Sequence, residues 1–244
     1  MTRAPTIHRQ DGVDALARAA AEAVAEAAAI AVAERGRFTI ALAGGATPRP
    51  LYALLADAGA PFRARVPWDR VHVFFGDERC VPPDHAESNW RMAREALLDR
   101  VRPASAWRMP GELPDPAAAA AEYEDVLARF FGGSAADGSP PAFDLVLLGL
   151  GADGHTASLF PGSPALEETV RWVAAPWVPR LGAHRLTLTL PVLNAAREAL
   201  FLVAGADKAD ALRRVLAGDA ALPAARVRPA GGAIFYVDRA AAPP

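Results

Sequence analysis

The 244-residue chain is 52% hydrophobic and 22% charged, enough apolar material to bury a sizeable core in one α/β domain spanning residues 1–244. Its formal net charge of -2 gives no global basic field for nucleic acid or an anionic membrane, so any anion has to be held by local groups. The one cysteine, Cys80, excludes an internal disulfide framework and suits a reducing, cytoplasmic compartment.

In chain order, the Ala-rich stretch from Asp14 to Glu34 is interrupted by Arg18, Glu22 and Glu26, which makes it neither a signal peptide nor a membrane span. Val13, Leu16, Val24, Ala28 and Ala31 fall on one face of a helix over 11–35, with Gly36 ending it. Phe38 to Ala43 reads as a short strand. It runs into Gly44-Gly45-Ala46-Thr47-Pro48, a compact helix start with Thr47 at the N-cap and Pro48 at the first helical position. Free amides and the positive end of the helix dipole favour an anion there, and Thr47 adds a hydroxyl. An ordinary capped turn uses the same residues, so the motif alone is not specific.

Trp68 to Phe75 alternates and then becomes wholly apolar, as a strand entering a covered sheet does. It delivers Gly76-Asp77-Glu78-Arg79 to the same edge. Isolated charges usually pair or face water; after a buried strand, Asp77 and Arg79 become candidates for meeting a ligand or orienting a histidine. A loop with Pro82, Pro83 and His85 follows, and Ser88 or Asn89 opens a helix to Leu98. A proline-rich connection over 103–116, a helix over 117–131 and a Gly/Ser loop to Pro141 lead to the central stretch.

Asp144 and Gly149 bracket a Leu/Val run too apolar to alternate, the pattern of a strand covered on both faces in the middle of a parallel sheet. A tight turn and a short helix are expected after it, placing His155 at the carboxyl edge of the sheet, where open α/β sheets bind ligands. Gly149, Gly151 and Gly154 spell G-x-G-x-x-G. Pro161, Gly162 and Pro164 stop any long helix, so the dinucleotide reading lacks its structural unit. The glycines are better suited to letting backbone approach another polar or anionic ligand.

A strand is expected over 171–175, irregular chain over 176–179, and a strand over 183–190 with Arg185 near its start. A helix from Pro191, a strand over 199–204 and a helix opened by Asp207 and Lys208 follow. Lysine in a first turn opposes the helix dipole, and an anionic ligand would account for it, although a solvated lysine is the commoner outcome. The last strand, 233–237, ends at Asp238. Such alternation gives a Rossmann-like, doubly wound, mostly parallel sheet with helices on both faces.

AGGATP, FFGDER, GLGADGHTASLFPGSP, RLTLTLP and GADK, in this order over nearly the whole chain, resemble the 6-phosphogluconolactonase family, DGHTASLFP being the most specific part. The resemblance implies the sugar-phosphate isomerase and deaminase type of Rossmann-like sheet. It also implies hydrolysis of a phosphosugar lactone in the oxidative pentose phosphate pathway, with no metal or nucleotide cofactor, and a functional proximity to glucose-6-phosphate dehydrogenase. Carried onto this chain, His155 is the general base. Asp77 binds sugar hydroxyls or orients the histidine, and Arg79 meets the phosphate or the carbonyl oxygen. Gly44, Gly45, Thr47, Asn89, Gly154, Arg185 and Lys208 are the substrate and phosphate contacts.

A lone histidine is by default a structural turn residue, and only its surroundings promote His155; His8, His72, His85 and His184 have none, and Cys80 reads as structural. The family commonly has SGGSTP where this chain has Ala43 and Ala46, so two hydroxyl donors are missing from the phosphate seat. Two rival readings fit the sequence less well. Glucosamine-6-phosphate deaminase/isomerase carries an IAFNEP-like run where this chain has Thr156 to Pro161, and its acidic motif lacks the counterpart of Arg79. A non-catalytic sugar-phosphate sensor would need a basic helix-turn-helix before the sheet to read DNA, and none precedes it.

Overall fold

The computed structural model describes residues 4–242. Strand β1 (Thr6–Gln10) leads into α1 (Val13–Arg35), which Gly36 ends with φ 73° and an N–H donated to the Val32 carbonyl. Next come β2 (Phe38–Leu42), α2 (Arg49–Ala56), β3 (Val71–Phe75), β4 (Asp77–Arg79) and α3 (Asn89–Ala93). β5 (Ser105–Ala106), α4 (Pro116–Phe131), β6 (Leu145–Gly149), β7 (Val173–Ala174), β8 (Trp177–Val178) and β9 (Ala183–Leu188) follow. The chain ends through α5 (Leu190–Ala195), β10 (Glu198–Val203), α6 (Ala209–Leu216) and β11 (Ala233–Asp238).

Seven strands pair in parallel in the order β1-β11-β10-β6-β2-β3-β5. β6 is the middle strand, as its unbroken apolar run predicts, and Leu145, Val146, Leu147 and Leu148 are all buried. Each such side chain is worth roughly 1.5–3 kcal/mol on burial. The pleat puts helices on both faces. Val71 and Val73 of β3 share a small internal space with Val24 of α1 and Leu55 of α2, whereas His72 and Phe74, pointing the other way, meet Phe130 of α4. The start of β6 is tied down by Asp144, whose carboxylate accepts from the Thr39 N–H and hydroxyl, both at 2.8 Å, and from Arg35 at 2.9 Å.

Winding reverses between β2 and β6: from β2 the chain steps outward to β3 and β5, then returns to β6 and proceeds to β10 and β11. The loops after β2 and β6 therefore splay apart and leave a crevice at the carboxyl edge.

Several expectations are corrected. The strand expected from Trp68 starts at Val71, because Trp68–Arg70 forms a 3-10 turn behind Pro67. The helix expected to Leu98 is α-helical to Ala93 and π-helical over Arg94–Leu98. The short helix expected after β6 does not form: no residue from Leu150 to Ser163 is helical, and a 3-10 turn comes only at Pro164–Glu167. Gly154 (φ 81°) and Ala157 (φ 47°) turn the backbone left-handed, and Thr156 bridges to Leu159 in a tight loop. β8 occupies part of the stretch expected to be irregular. β1, β4 and β5 were not foreseen, being too short or too polar for a periodic signal. β4, β7 and β8 pair antiparallel with β9 in a small second layer beside the crevice.

Candidate active site

The crevice is a cleft of about 250 Å3. The loop after β2 supplies Ala43 to Pro48, the junction of β3 with β4 supplies Gly76 and Asp77, and the end of β6 and its loop supply Leu147 to Gly151, His155 and Ala157. Arg79, Asn89 and Lys208 complete the wall. Of the residues expected at the site, His155, Asp77, Arg79, Gly44, Gly45, Thr47, Asn89 and Lys208 are thus brought together. Gly154 and Arg185 are not on the wall. Gly154 is a turn glycine whose missing side chain makes room for Leu222. Arg185 lies opposite Arg79 in the β4–β9 pair, and burial together with the Arg79 charge pushes its pKa down.

At the turn after β2, helix α2 begins one residue later than expected: Pro48 is the N-cap, and Thr47 makes no capping hydrogen bond. Among the described residues the N–H groups of Gly45, Ala46 and Thr47 have no protein partner. Three free amides at the start of a helix favour an anion, and that capacity does not depend on the two serines that Ala43 and Ala46 replace. Gly44 has to be glycine for a different reason. A Cβ there would lie 1.9 Å from Asn89 Oδ1.

Asn89 is buried, and its amide nitrogen donates to the Asp77 carbonyl at 2.9 Å and carboxylate at 3.2 Å. Ser158 donates to the other Asp77 oxygen at 2.7 Å. Burial raises the pKa of Asp77, while Ser158, Arg79, His155 and Arg185 pull it back. Both oxygens of this carboxylate are oriented by donors, so it presents fixed acceptor positions to the cleft. Glu78, pointing away, accepts from the Ser88 hydroxyl and from the N–H groups of Arg79, Asn89 and Trp90. It pins the start of α3, and with it Asn89, beneath the cleft.

His155 stands at the top of a turn closed by the Gly151 N–H to the His155 carbonyl and the Gly154 N–H to the Gly151 carbonyl, both at 2.9 Å. Its Nδ1 is 2.5 Å from Asp153 Oδ1, and its backbone N–H donates to the same oxygen at 3.1 Å. An Nδ1–H given to a carboxylate leaves Nε2 as the acceptor facing outward, the tautomer a base needs. Burial raises the Asp153 pKa, but the hydrogen bond and charge of His155 outweigh it, and the net direction is down. Asp77 was expected either to bind sugar hydroxyls or to orient the histidine; the carboxylate hydrogen-bonded to His155 is that of Asp153. The signal was available in the D-x-H spacing, since two residues across a tight turn bring carboxylate and imidazole together. Ser158 and Arg180 were missed because their roles depend on contacts far apart in sequence. The G-x-G-x-x-G glycines serve this turn: a Cβ on Gly151 would lie 1.9 Å from His155 Nδ1. Among the described residues there is no group of three or more His, Cys, Asp or Glu side chains able to hold a metal.

A family model described as "Glucosamine-6-phosphate isomerases/6-phosphogluconolactonase" matches residues 11–236. A 6-phosphogluconolactonase from Synechocystis sp. is 48% identical over 208 residues, covering 83% of this chain and 82% of that protein. One from Mycobacterium tuberculosis is 40% identical over 242 residues, 94% of each. The solved structure of the Trypanosoma brucei 6-phosphogluconolactonase superposes with a TM-score of 0.84 at 31% identity, covering 99% of this chain and 98% of that one.

Proposed function

The chain belongs to the glucosamine-6-phosphate isomerase/6-phosphogluconolactonase family, and from that premise we propose how its cleft performs the hydrolysis of 6-phospho-D-glucono-1,5-lactone to 6-phospho-D-gluconate. The chain is an enzyme of this lactonase type. The observation that carries the mechanism is the hydrogen-bonded Asp153–His155 pair on a cleft whose opposite loop has three unpartnered amides.

The substrate phosphate sits on the amides of Gly45 to Thr47 and fixes the ring in the cleft, so that binding energy from a non-reacting group positions the reacting one. Asp77 accepts from sugar hydroxyls. Nε2 of His155 takes a proton from a water as its oxygen attacks the lactone carbonyl, and Asp153 stabilises the imidazolium so formed. Arg79 and Lys208, the cations on the wall, supply positive charge for the phosphate and for the oxygen that becomes negative. The tetrahedral intermediate then collapses, the ring C–O bond breaks, and the imidazolium returns its proton to the leaving ring oxygen. Water and lactone are consumed, the acid is formed, and His155 is regenerated. Functional proximity to glucose-6-phosphate dehydrogenase, which would supply the lactone, and a cytoplasmic place belong to the same proposal.

The test is the hydrolysis of freshly generated lactone, corrected for spontaneous opening, in the presence of chelator. Acceleration with lactone and no turnover of glucosamine 6-phosphate is expected; spontaneous-rate hydrolysis would overturn the reading. Gly151→Ala provides a geometric check. The added Cβ has to push the imidazole from its place, and a displacement of about 1 Å costs roughly 10²-fold in kcat. Gly151 does not use a left-handed backbone, so any loss in thermal midpoint should come only from displacing His155 and Asp153; kcat and thermal melts of the same preparation decide it.

A further inference from the structure

Arg180 lies outside every motif discussed above, yet it makes three contacts around the imidazole. It sits in the 3-10 turn Pro179–Leu181 between β8 and β9. Its Nη2 is 3.0 Å from Asp153 Oδ2 and 3.5 Å from His155 Nδ1. Its guanidinium carbon stands 4.6 Å from the centre of the Phe160 ring, the same ring that packs on His155 with centres 4.4 Å apart. It does not line the cleft.

Resting on the mechanism above, we propose that Arg180 is a positioning residue for the Asp153–His155 pair, holding the outer oxygen of Asp153 and the Phe160 ring so that the imidazole keeps one orientation. The two oxygens of Asp153 divide their work: Oδ1 takes both N–H groups of His155, and Oδ2 takes Arg180. Without the second anchor the carboxylate is held at one oxygen alone, and rocking about its last bond loosens the hydrogen bond that sets the tautomer. Phe160 blocks rotation of the imidazole on its flat side, and Arg180 in turn holds Phe160 through its ring face.

A second consequence is electrostatic. His155 faces Asp153 and Arg180 from its own side, and Asp77, Arg79 and Lys208 share the cleft with it. Arg180 is the cation in direct reach, so it opposes the protonated imidazole and competes for the Asp153 charge. Its side chain is 52% exposed, which screens the effect and keeps it modest.

The variants are Arg180→Met, which keeps length without charge, and Arg180→Lys, which keeps charge without the planar fork. An exposed ion pair and an exposed cation–π contact each hold a group by up to about a fivefold factor, so Arg180→Met should lower kcat about 5- to 25-fold with KM nearly constant. The acid limb of its kcat/KM profile should move to higher pH, since the imidazolium has lost an opposing charge. Arg180→Lys should restore the position of that limb while recovering only part of kcat. Wild-type kcat in Arg180→Met overturns the proposal, and so does an unmoved limb. A raised KM at unchanged kcat also overturns it, by making Arg180 a substrate contact. An NMR titration of the His155 ring C–H, assigned through a His155→Gln variant, separates this inference from the lactonase reading. If the wild type is inert on the lactone but the midpoint moves up in Arg180→Met, the reading fails and the inference stands; an unmoved midpoint overturns the inference whatever the activity.

Discussion

His155→Ala is expected to lower kcat for the lactone about 10²–10⁴-fold, the usual contribution of a positioned acid-base group, while KM changes by less than about threefold. The split follows from the layout of the cleft. In the proposed mechanism the phosphate sits on the loop after β2 and the sugar hydroxyls on Asp77, at the start of β4, whereas His155 comes from the loop after β6. Removing the imidazole therefore takes away proton transfer and leaves the ground-state contacts in place. The fold should tolerate the change, because the loop is closed by backbone hydrogen bonds of Gly151 and Gly154 and by the Thr156 hydroxyl on the Gly149 carbonyl. Asp153 keeps Arg180 as a partner, so no buried charge is stranded. Steady-state kinetics on fresh lactone, with the spontaneous rate subtracted, give the answer. Near-wild-type kcat would remove His155 from the chemistry, and a raised KM with intact kcat would make it a binding group.

Much of this layout is legible in the sequence. The apolar run at 145–148 has no polar face, and a strand with none has to lie inside a sheet; β6 is its centre. Glycines and charges at strand ends predicted the edge at which His155, Asp77, Arg79 and the Gly44–Thr47 turn meet, and they meet there. What stayed hidden was pairing between distant segments. β4, β7 and β8 are two or three residues long, and only β9 makes strands of them. The loop after β6 looked like a helix start because its residues are small and polar. Its left-handed turns at Gly154 and Ala157 are imposed instead by contacts to Leu222, to the Gly149 carbonyl and across to β9. Arg185 illustrates the converse, a suggestive cation that the pairing of β4 with β9 leaves behind the wall. Glu78 was read as one more strand-end charge, although its carboxylate organises the floor of the site.

Glu78→Gln should therefore destabilise the protein by about 2–5 kcal/mol, a loss of roughly 5–15 °C in Tm for a chain of this size. The wild-type carboxylate is 3% exposed and accepts from four donors: the N–H groups of Asn89 at 2.7 Å, Trp90 at 2.8 Å and Arg79 at 2.8 Å, and the Ser88 hydroxyl at 3.1 Å. An amide keeps one oxygen and turns an NH2 toward the remaining donors, leaving at least one or two of them buried and unpaired. The pH dependence is set by burial, which works against the donors. Burial raises the Glu78 pKa above its ordinary value of 4.5, with the backbone N–H groups opposing it. The folded state thus binds this proton more tightly than the unfolded one. The stability the group contributes is fully present below 4.5 and is lost as pH rises through the raised folded value. Glu78→Gln lacks that slope, so the difference in stability between variant and wild type should be larger at pH 4 than at pH 7. The damage should also reach the site, because the start of α3 places Asn89, and Asn89 holds Asp77. Chemical denaturation at both pH values, with kcat/KM measured where each protein is folded, tests both parts. A variant as stable as wild type at pH 4 and pH 7, with kcat/KM unchanged, would mean that the N-terminus of α3 is held by packing of Trp90 on Phe75 and does not depend on the buried carboxylate.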